Sequence, residues 1–381
     1  MTPEEFAEGA RRFLDGHAER RRTVEQRPAA RITLFSSSTS DEVERSRVWQ
    51  RTVFDAGFGW ITGPAEYGGR DLPVSYERAY LSLEREYDVP AKGPLTISMG
   101  MVTPTVLSFA TDAVKDRWVR SLRRADAVGC QLFSEPGAGS DLASVATSAT
   151  RDGDTWVLHG QKVWTSGAHY ADVGLALTRT SAGDRHRNLT MFLVDMKAPG
   201  VEVRPLRQMT GSAEFNEVFL DGVVVADSDR LGEVDGGWQV AMATLGFERS
   251  AIGGASSGGA GILRMDDLAE WLEELGCGGD PDVAEMYGRL YTRVTAAKAM
   301  RRTASNPALG KLLLTSNLNL LGDLVTLALG RQLVADLGRD RTFAWSEFVL
   351  GVPGMRIGGG TDEIMRNTVA ERALGLPRES R

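Results

Sequence analysis

The sequence holds 381 residues, more than one hydrophobic core usually organises, so two or three domains are expected. A formal net charge of -7 excludes general affinity for nucleic acid, which needs a surplus of Lys and Arg. The only two cysteines, Cys130 and Cys277, have no partner at metal or redox spacing, which excludes a disulfide framework and a CxxC centre.

In chain order, "MTPEEFAEGARRFLDGHAERRRTVE" is charged throughout and offers no apolar signal core, and no uncharged apolar run of 18 residues follows. Cytoplasmic residence without a membrane span is expected. Up to about residue 125 the pattern is helical: apolar positions recur at steps of three and four in "ERAYLSLEREYDV" and "AVKDRWVRSLRRA". The Gly and Pro residues of "FGWITGPAEYGGRDLP" mark a loop between them.

From about 126 to 228 the period shortens. "TWVLHGQKVWTSG", "VGLALTRT", "NLTMFLVDM", "VEVRPL" and "FNEVFLDGVVV" are short β-branched or aromatic runs between turn residues and predict strands. Helices return after 229: Val283, Met286, Leu290, Val294 and Ala297 share one helical face, and "KLLLTSNLNLLGDLVTLALGRQLV" reads as a long buried helix. "AIGGASSGGAGIL" continues the apolar pattern of "WQVAMATLGFE", its small residues suiting close helix packing or a cavity. The expected fold is α+β and multidomain: a helical N-terminal domain (1–125), a middle β-barrel or sandwich (126–228) and a C-terminal helical bundle (229–381).

Three stretches carry chemistry. In "QLFSEPGAGSDLAS", Gly137 and Gly139 free backbone amides to approach an anion or a flat ring, and Ser134 and Ser140 add short donors; an ordinary turn has the same composition. Trp164 in "KVWTSG" reads by itself as a core aromatic of a hairpin. Glu248 is the one acid between Asp235 and Asp266 and lies among Leu245, Phe247, Ala251 and Ile252. Desolvation there would raise its pKa toward the range of a general base, although an ion pair involving Arg249 is an alternative. The histidines His17, His159, His169 and His186 lack ligand spacing and read as surface or turn residues, with no metal site.

"CQLFSEPGAGSD", followed by "DGDTWVLHGQKVWTSGAHYAD", "FNEVFLDGVVV" and, near the end, "GGTDEIMRNTVAERALGLPRE", resembles the acyl-CoA dehydrogenase family from about residue 50 onward, "PAEYGG" included. The resemblance implies the α, β, α order and a bound FAD. It implies that Gln131, Phe133 and Ser134 line the flavin, with Gly139 and Ser140 in the same loop, that Trp164 packs against the ring, and that Ser166, in place of the more usual Thr, offers a hydroxyl near N5. Thr361 and Glu363 are implied contacts of the adenosine part, held mainly by a neighbouring subunit, although N-capping explains them as well. Ser140, Phe247, Arg249 and Gly359 are expected at the substrate.

Many family members carry a catalytic Glu where this chain has Gly359, which cannot ionise. A subset places the base at the position matching Glu248, so Glu248 is the expected base and Gly359 leaves room beside the thioester. The activity implied is α,β-dehydrogenation of an acyl-CoA or acyl-carrier thioester, with electrons passed to an electron-transfer flavoprotein. The small residues Gly253, Gly254, Ala255, Ser256 and Ser257 suggest a branched or polycyclic acyl group, such as a fatty acid or steroid side chain. The chain departs from the family in lacking the Arg-x-x-Phe-Gly and QxxGGxG segments that complete the FAD site across a subunit interface: "RLYTRVTAAKAM" and "FVLGVPGMRIG" stand there. A homotetramer or an α2β2 heterotetramer is therefore expected. The alternatives are an FAD-completing partner subunit and a flavin-dependent monooxygenase of the same fold.

Overall fold

The structure, a computed structural model, describes residues 2–21, 34, 38–255, 265–300, 306–335 and 342–378. It divides into two compact units: residues 1–27, 37–207 and 213–244, and residues 28–36, 208–212 and 245–381.

The first unit opens with α1 (Pro3–His17) and α2 (Ser40–Asp55), each entered through a capping box in which Thr2 or Thr39 exchanges hydrogen bonds with Glu5 or Glu42. With α3 (Val74–Glu84) they bury Phe6, Ala10, Leu14, Trp49, Val53 and Tyr80 in one cluster. Two short strands the sequence did not suggest, β1 (Glu19–Arg20) and β2 (Tyr87–Asp88), pair beside it. A π-helical turn over Ser98–Val102 leads into α4 (Thr103–Phe109), followed by α5 (Asp112–Arg124).

The strands that follow form one sheet: β3 (Gly129–Leu132), β4 (Ser148–Asp152), β5 (Thr155–Ser166), β6 (Val173–Arg179), β7 (Leu189–Asp195), β8 (Val201–Leu206), β9 (Phe215–Ala226) and β10 (Arg230–Leu231). Their order is β10-β7-β6-β4-β5-β9-β8, with β3 pairing β6 in parallel. In β6 and β7 six consecutive residues are buried, as expected of strands covered on both faces, whereas β8 alternates. The β5–β9 ladder breaks register between Lys162 and Thr165. The first half of α6 (Gly237–Ala255) completes the unit, with Thr244 Oγ1 2.9 Å from Thr105 Oγ1.

The second unit contains α7 (Met265–Glu274), α8 (Pro281–Met300), α9 (Pro307–Leu329), α10 (Thr342–Ile357) and α11 (Asp362–Arg372). Val283, Leu290 and Val294 of α8 meet Leu314, Leu318, Leu321 and Val325 of α9 and Phe348 of α10 in its core, and Met286 packs against that cluster as its helical spacing predicts. By length and composition Pro307–Val334 could cross a membrane, with mean hydropathy 1.5, but half of it is buried and α8, α10 and α11 pack on it. Its apolarity is that of a core helix. The sequence-predicted helical continuation through residues 256–264 and the side chains of Gly253, Gly254 and Ala255 lie outside what the structure describes, as do Ser256 and Ser257.

Candidate functional site

Strand β3 delivers Gln131 half-buried, then Phe133 at 4% exposure and Ser134 half-buried. The chain then closes a tight loop in which Glu135 and Ala138 exchange backbone N–H···O bonds of 3.0 Å. Gly137 and Gly139 are exposed, neither has a positive φ, and a Cβ built on either meets nothing within 4 Å. Neither backbone strain nor packing among the described residues requires glycine there. Open space over bare backbone is what a flat ring or a phosphate would use.

Two side chains unremarked in the sequence hold this loop. Lys162 is 0% exposed, and its ammonium donates to Glu135 Oε1 (2.8 Å), Phe133 O (3.2 Å) and Leu177 O (2.6 Å). Glu135 also accepts the N–H groups of Ala146 (2.5 Å) and Thr147 (2.9 Å). Burial pushes the Lys162 ammonium down to about 8 against the pull of Glu135. For Glu135, burial acts upward, but Lys162 and the two N–H donors hold the carboxyl below its ordinary value. Both are charged at neutral pH. The available signal for Lys162 was its parity with Trp156 and Leu158 along β5, which alternation turns inward.

Unbroken alternation would bury Trp164 on that same side. The register break after Lys162 reverses the parity, so Thr165 is 1% exposed and Trp164 58% exposed. The core placement that Trp164 suggests when read by itself is therefore wrong. Its φ of 60° is costly for a bulky residue, and such outliers gather at functional sites. Phe215 of β9 meets the indole edge to face at 5.8 Å, and Ser166, half-buried, pairs with Phe215 in the ladder. Ser140 is exposed at the end of the loop beside Asp141, which pairs with Arg185.

On the opposite face of the same ladder Asn216 Nδ2 donates to Thr165 O (3.0 Å) and meets His169 Nδ1 at 3.2 Å. His169 is exposed, but desolvation of its ring on the side facing Asn216 keeps it below its usual range. Two residues before Asn216, burial pushes the Glu214 carboxyl up to about 7, opposed by a hydrogen bond from the Ser38 backbone. Cys130 is buried and its thiol is pushed up to about 12, which leaves it unreactive. Of the four histidines, His17, His159, His169 and His186 are all exposed, and no group of metal ligands occurs among the described residues.

In the second unit, Phe247 and Glu248 are half-buried on α6; Arg249 is helical, and its side chain lies outside the described residues. Gly359 and Gly360 turn the chain with φ of 66° and 91°, after which Thr361 caps α11 by accepting the Ile364 N–H (3.2 Å). Glu363 is exposed in the first turn, and its backbone N–H holds its own carboxyl below the ordinary value. Asp362, which reads in the sequence as one more first-turn acid, is 4% exposed and receives Lys311 Nζ (2.8 Å), Thr315 Oγ1 (2.9 Å) and Arg356 Nε (3.1 Å). Burial acts upward on Asp362, but these three donors hold it below the ordinary carboxylate range. The structure places Gln131, Phe133, Ser134, Gly139, Ser140, Trp164 and Ser166 in the first unit, and Phe247, Glu248, Gly359, Thr361 and Glu363 in the second.

Comparison with known proteins assigns the chain to a family. Residues 3–126, 130–223 and 235–374 match the families described as acyl-CoA dehydrogenase N-terminal, middle and C-terminal domains. The chain is 37% identical over 353 residues to "Acyl-CoA dehydrogenase IpdE1" of Mycobacterium tuberculosis, covering 89% of this chain and 90% of that protein. It is 35% identical over 361 residues to the IpdE1 of Mycolicibacterium smegmatis, with 88% and 89% covered. A solved structure titled "Tcur3481-Tcur3483 steroid ACAD" superposes with a TM-score of 0.78 at 25% identity, over 99% of this chain and 98% of that one. The chain belongs to the acyl-CoA dehydrogenase family of oxidoreductases.

Proposed function

We propose that this chain is an FAD-dependent dehydrogenase that introduces an α,β double bond into an acyl thioester. The observation that carries the reading is Trp164, held outward by a ladder break at a costly φ, two residues before Ser166 and next to Val163, whose N–H bonds to Ser134 at the start of the glycine loop. These residues fit a flat, anionic cofactor. When bound, FAD supplies a hydride acceptor at flavin N5.

In this proposal Gln131, Phe133, Ser134, Gly139, Ser140, Trp164 and Ser166 hold the flavin half, and Thr361 and Glu363 contact the adenosine half. Glu248 takes the α-proton of the thioester, Phe247 and Arg249 flank the substrate, and Gly359 leaves space where a second carboxylate would compete. A branched or polycyclic acyl group is the expected substrate class, a reading supported by 25% identity to a structure titled as a steroid enzyme. Reoxidation by an electron-transfer flavoprotein and residence in the cytoplasm belong to the same proposal, the latter supported by two cysteines that stay as thiols.

An α2β2 heterotetramer is favoured over a homotetramer because that relative's title pairs two chains and because the segments expected to complete the FAD site are replaced here. Anaerobic titration of the yellow protein with a panel of acyl thioesters tests the reaction. Substrate should bleach the flavin in the parent. Glu248→Gln should retain the bound cofactor and lose bleaching by a factor of at least about 100, the usual scale of a general base. Bleaching at the parental rate in Glu248→Gln, or turnover of short straight-chain thioesters alone, removes the base or the substrate class from the proposal.

A further inference from the structure

The ammonium of Lys162 is bonded on both sides of a residue expected to touch the flavin. It donates to the carbonyl of Phe133 and to the carboxylate of Glu135, the two neighbours of Ser134, while the carbonyl of Ser134 accepts the N–H of Val163 at 2.9 Å. Its third bond goes to Leu177 of β6, so all three protons are used. Trp164 follows two residues later, inside the ladder break. One buried cation therefore fixes the loop that carries Ser134 and the bulge that carries Trp164 with respect to each other.

Stability alone does not account for the pair. Lys162 is 0% exposed and Glu135 7%, and a buried ion pair generally gains little over two apolar side chains of similar size because desolvation offsets the attraction. Apolar residues would fill the space but could not orient the carbonyls of Phe133 and Leu177 or hold the N–H groups of Ala146 and Thr147. What the charges add is direction.

We infer that Glu135 and Lys162 are positioning residues for the cofactor, a clamp that sets Ser134 and Trp164 at the separation a flavin ring requires. The inference rests on the FAD reading for its ligand, but not for its geometry.

The test compares the parent with Glu135→Leu/Lys162→Met and with Glu135→Gln. Two readouts are used: FAD affinity of the deflavinated protein, measured by flavin fluorescence, and hydrogen exchange of backbone amides in the apoprotein. The double variant should stay folded, exchange faster at residues 133–137, 146–147 and 162–165 only, and bind FAD at least tenfold more weakly. Glu135→Gln keeps an oxygen for Lys162 and should fall between the two. Parental FAD affinity in both variants overturns the inference, and so does faster exchange spread over the whole sheet. If the parent itself bound no FAD, the proposed function would fail, while the exchange pattern would still decide whether the clamp exists.

Discussion

The indole of Trp164 and the ring of Phe215 meet edge to face, with centroids 5.8 Å apart and planes at 80°. This contact supports a side chain that remains 58% exposed, an arrangement suited to receive a second flat ring.

Replacing Trp164 by glycine should separate support from binding. Because the residue is exposed and held at φ 60°, the Trp164→Gly apoprotein should be no less stable than the parent, relief of strain offsetting the greater freedom of glycine. FAD binding should weaken about tenfold or more, the scale of one lost aromatic stack. Flavin fluorescence titration beside thermal unfolding checks both. A drop in stability with unchanged affinity would make Trp164 structural.

Glu214 predicts a pH effect. Its folded-state pKa is raised from 4.5 to about 7, chiefly by burial. Stability from the protonated form is therefore full below about 4.5 and is lost as pH rises through about 7. Glu214→Gln removes that loss, so the variant should gain on the parent between pH 5 and pH 8. The gain should reach about 1 to 2 kcal/mol, after discounting the linkage value of roughly 1.4 kcal/mol per pKa unit for partial solvent exposure. Urea midpoints at the two pH values measure it. A difference that does not vary with pH excludes Glu214 as the titrating group.

Asp362 should be the sensitive residue of the second unit. Asp362→Ala leaves Lys311 buried without its carboxylate and should cost about 3 kcal/mol, whereas Asp362→Leu/Lys311→Met should recover most of that loss. Since the carboxyl is held below 3.8, its contribution is present above that value and disappears as pH falls through the lower folded pKa. Acid unfolding curves of the parent and of the double variant should therefore diverge below pH 4.

How far these residues could be read from the sequence depended on the range of the interactions that place them. The strands around "VGLALTRT" and "FNEVFLDGVVV", the helical face of Val283, Leu290 and Val294, and the Thr361 cap follow from local periodicity and appear as expected. The parallel pairing of β3 with β6 does not, because register between distant strands leaves no local mark. Lys162 was readable from its parity, but Trp164 was not, since a single bulge inverts every later parity and is encoded by the opposing strand as much as by its own. Asp362 has the right residue type for a first turn. Its burial is set by Lys311, 51 residues earlier.

The glycines of the loop before α11 should differ in their tolerance of substitution. Gly360 has φ 91°, and a Cβ there would stand 2.6 Å from the end of the Met365 side chain, which is itself buried. Gly360→Ala should therefore cost about 1 to 3 kcal/mol from backbone strain and repacking together. Gly359, at φ 66°, lies in the left-handed region that asparagine tolerates, so Gly359→Asn should lower stability by less than about 1 kcal/mol. If Gly359 borders the thioester, the same variant should fold, keep its flavin and show a raised KM, because the added amide occupies the space that glycine leaves. Thermal unfolding and steady-state kinetics on Gly359→Asn decide between the two roles. An unchanged KM would leave Gly359 with a turn to make and no part in substrate binding.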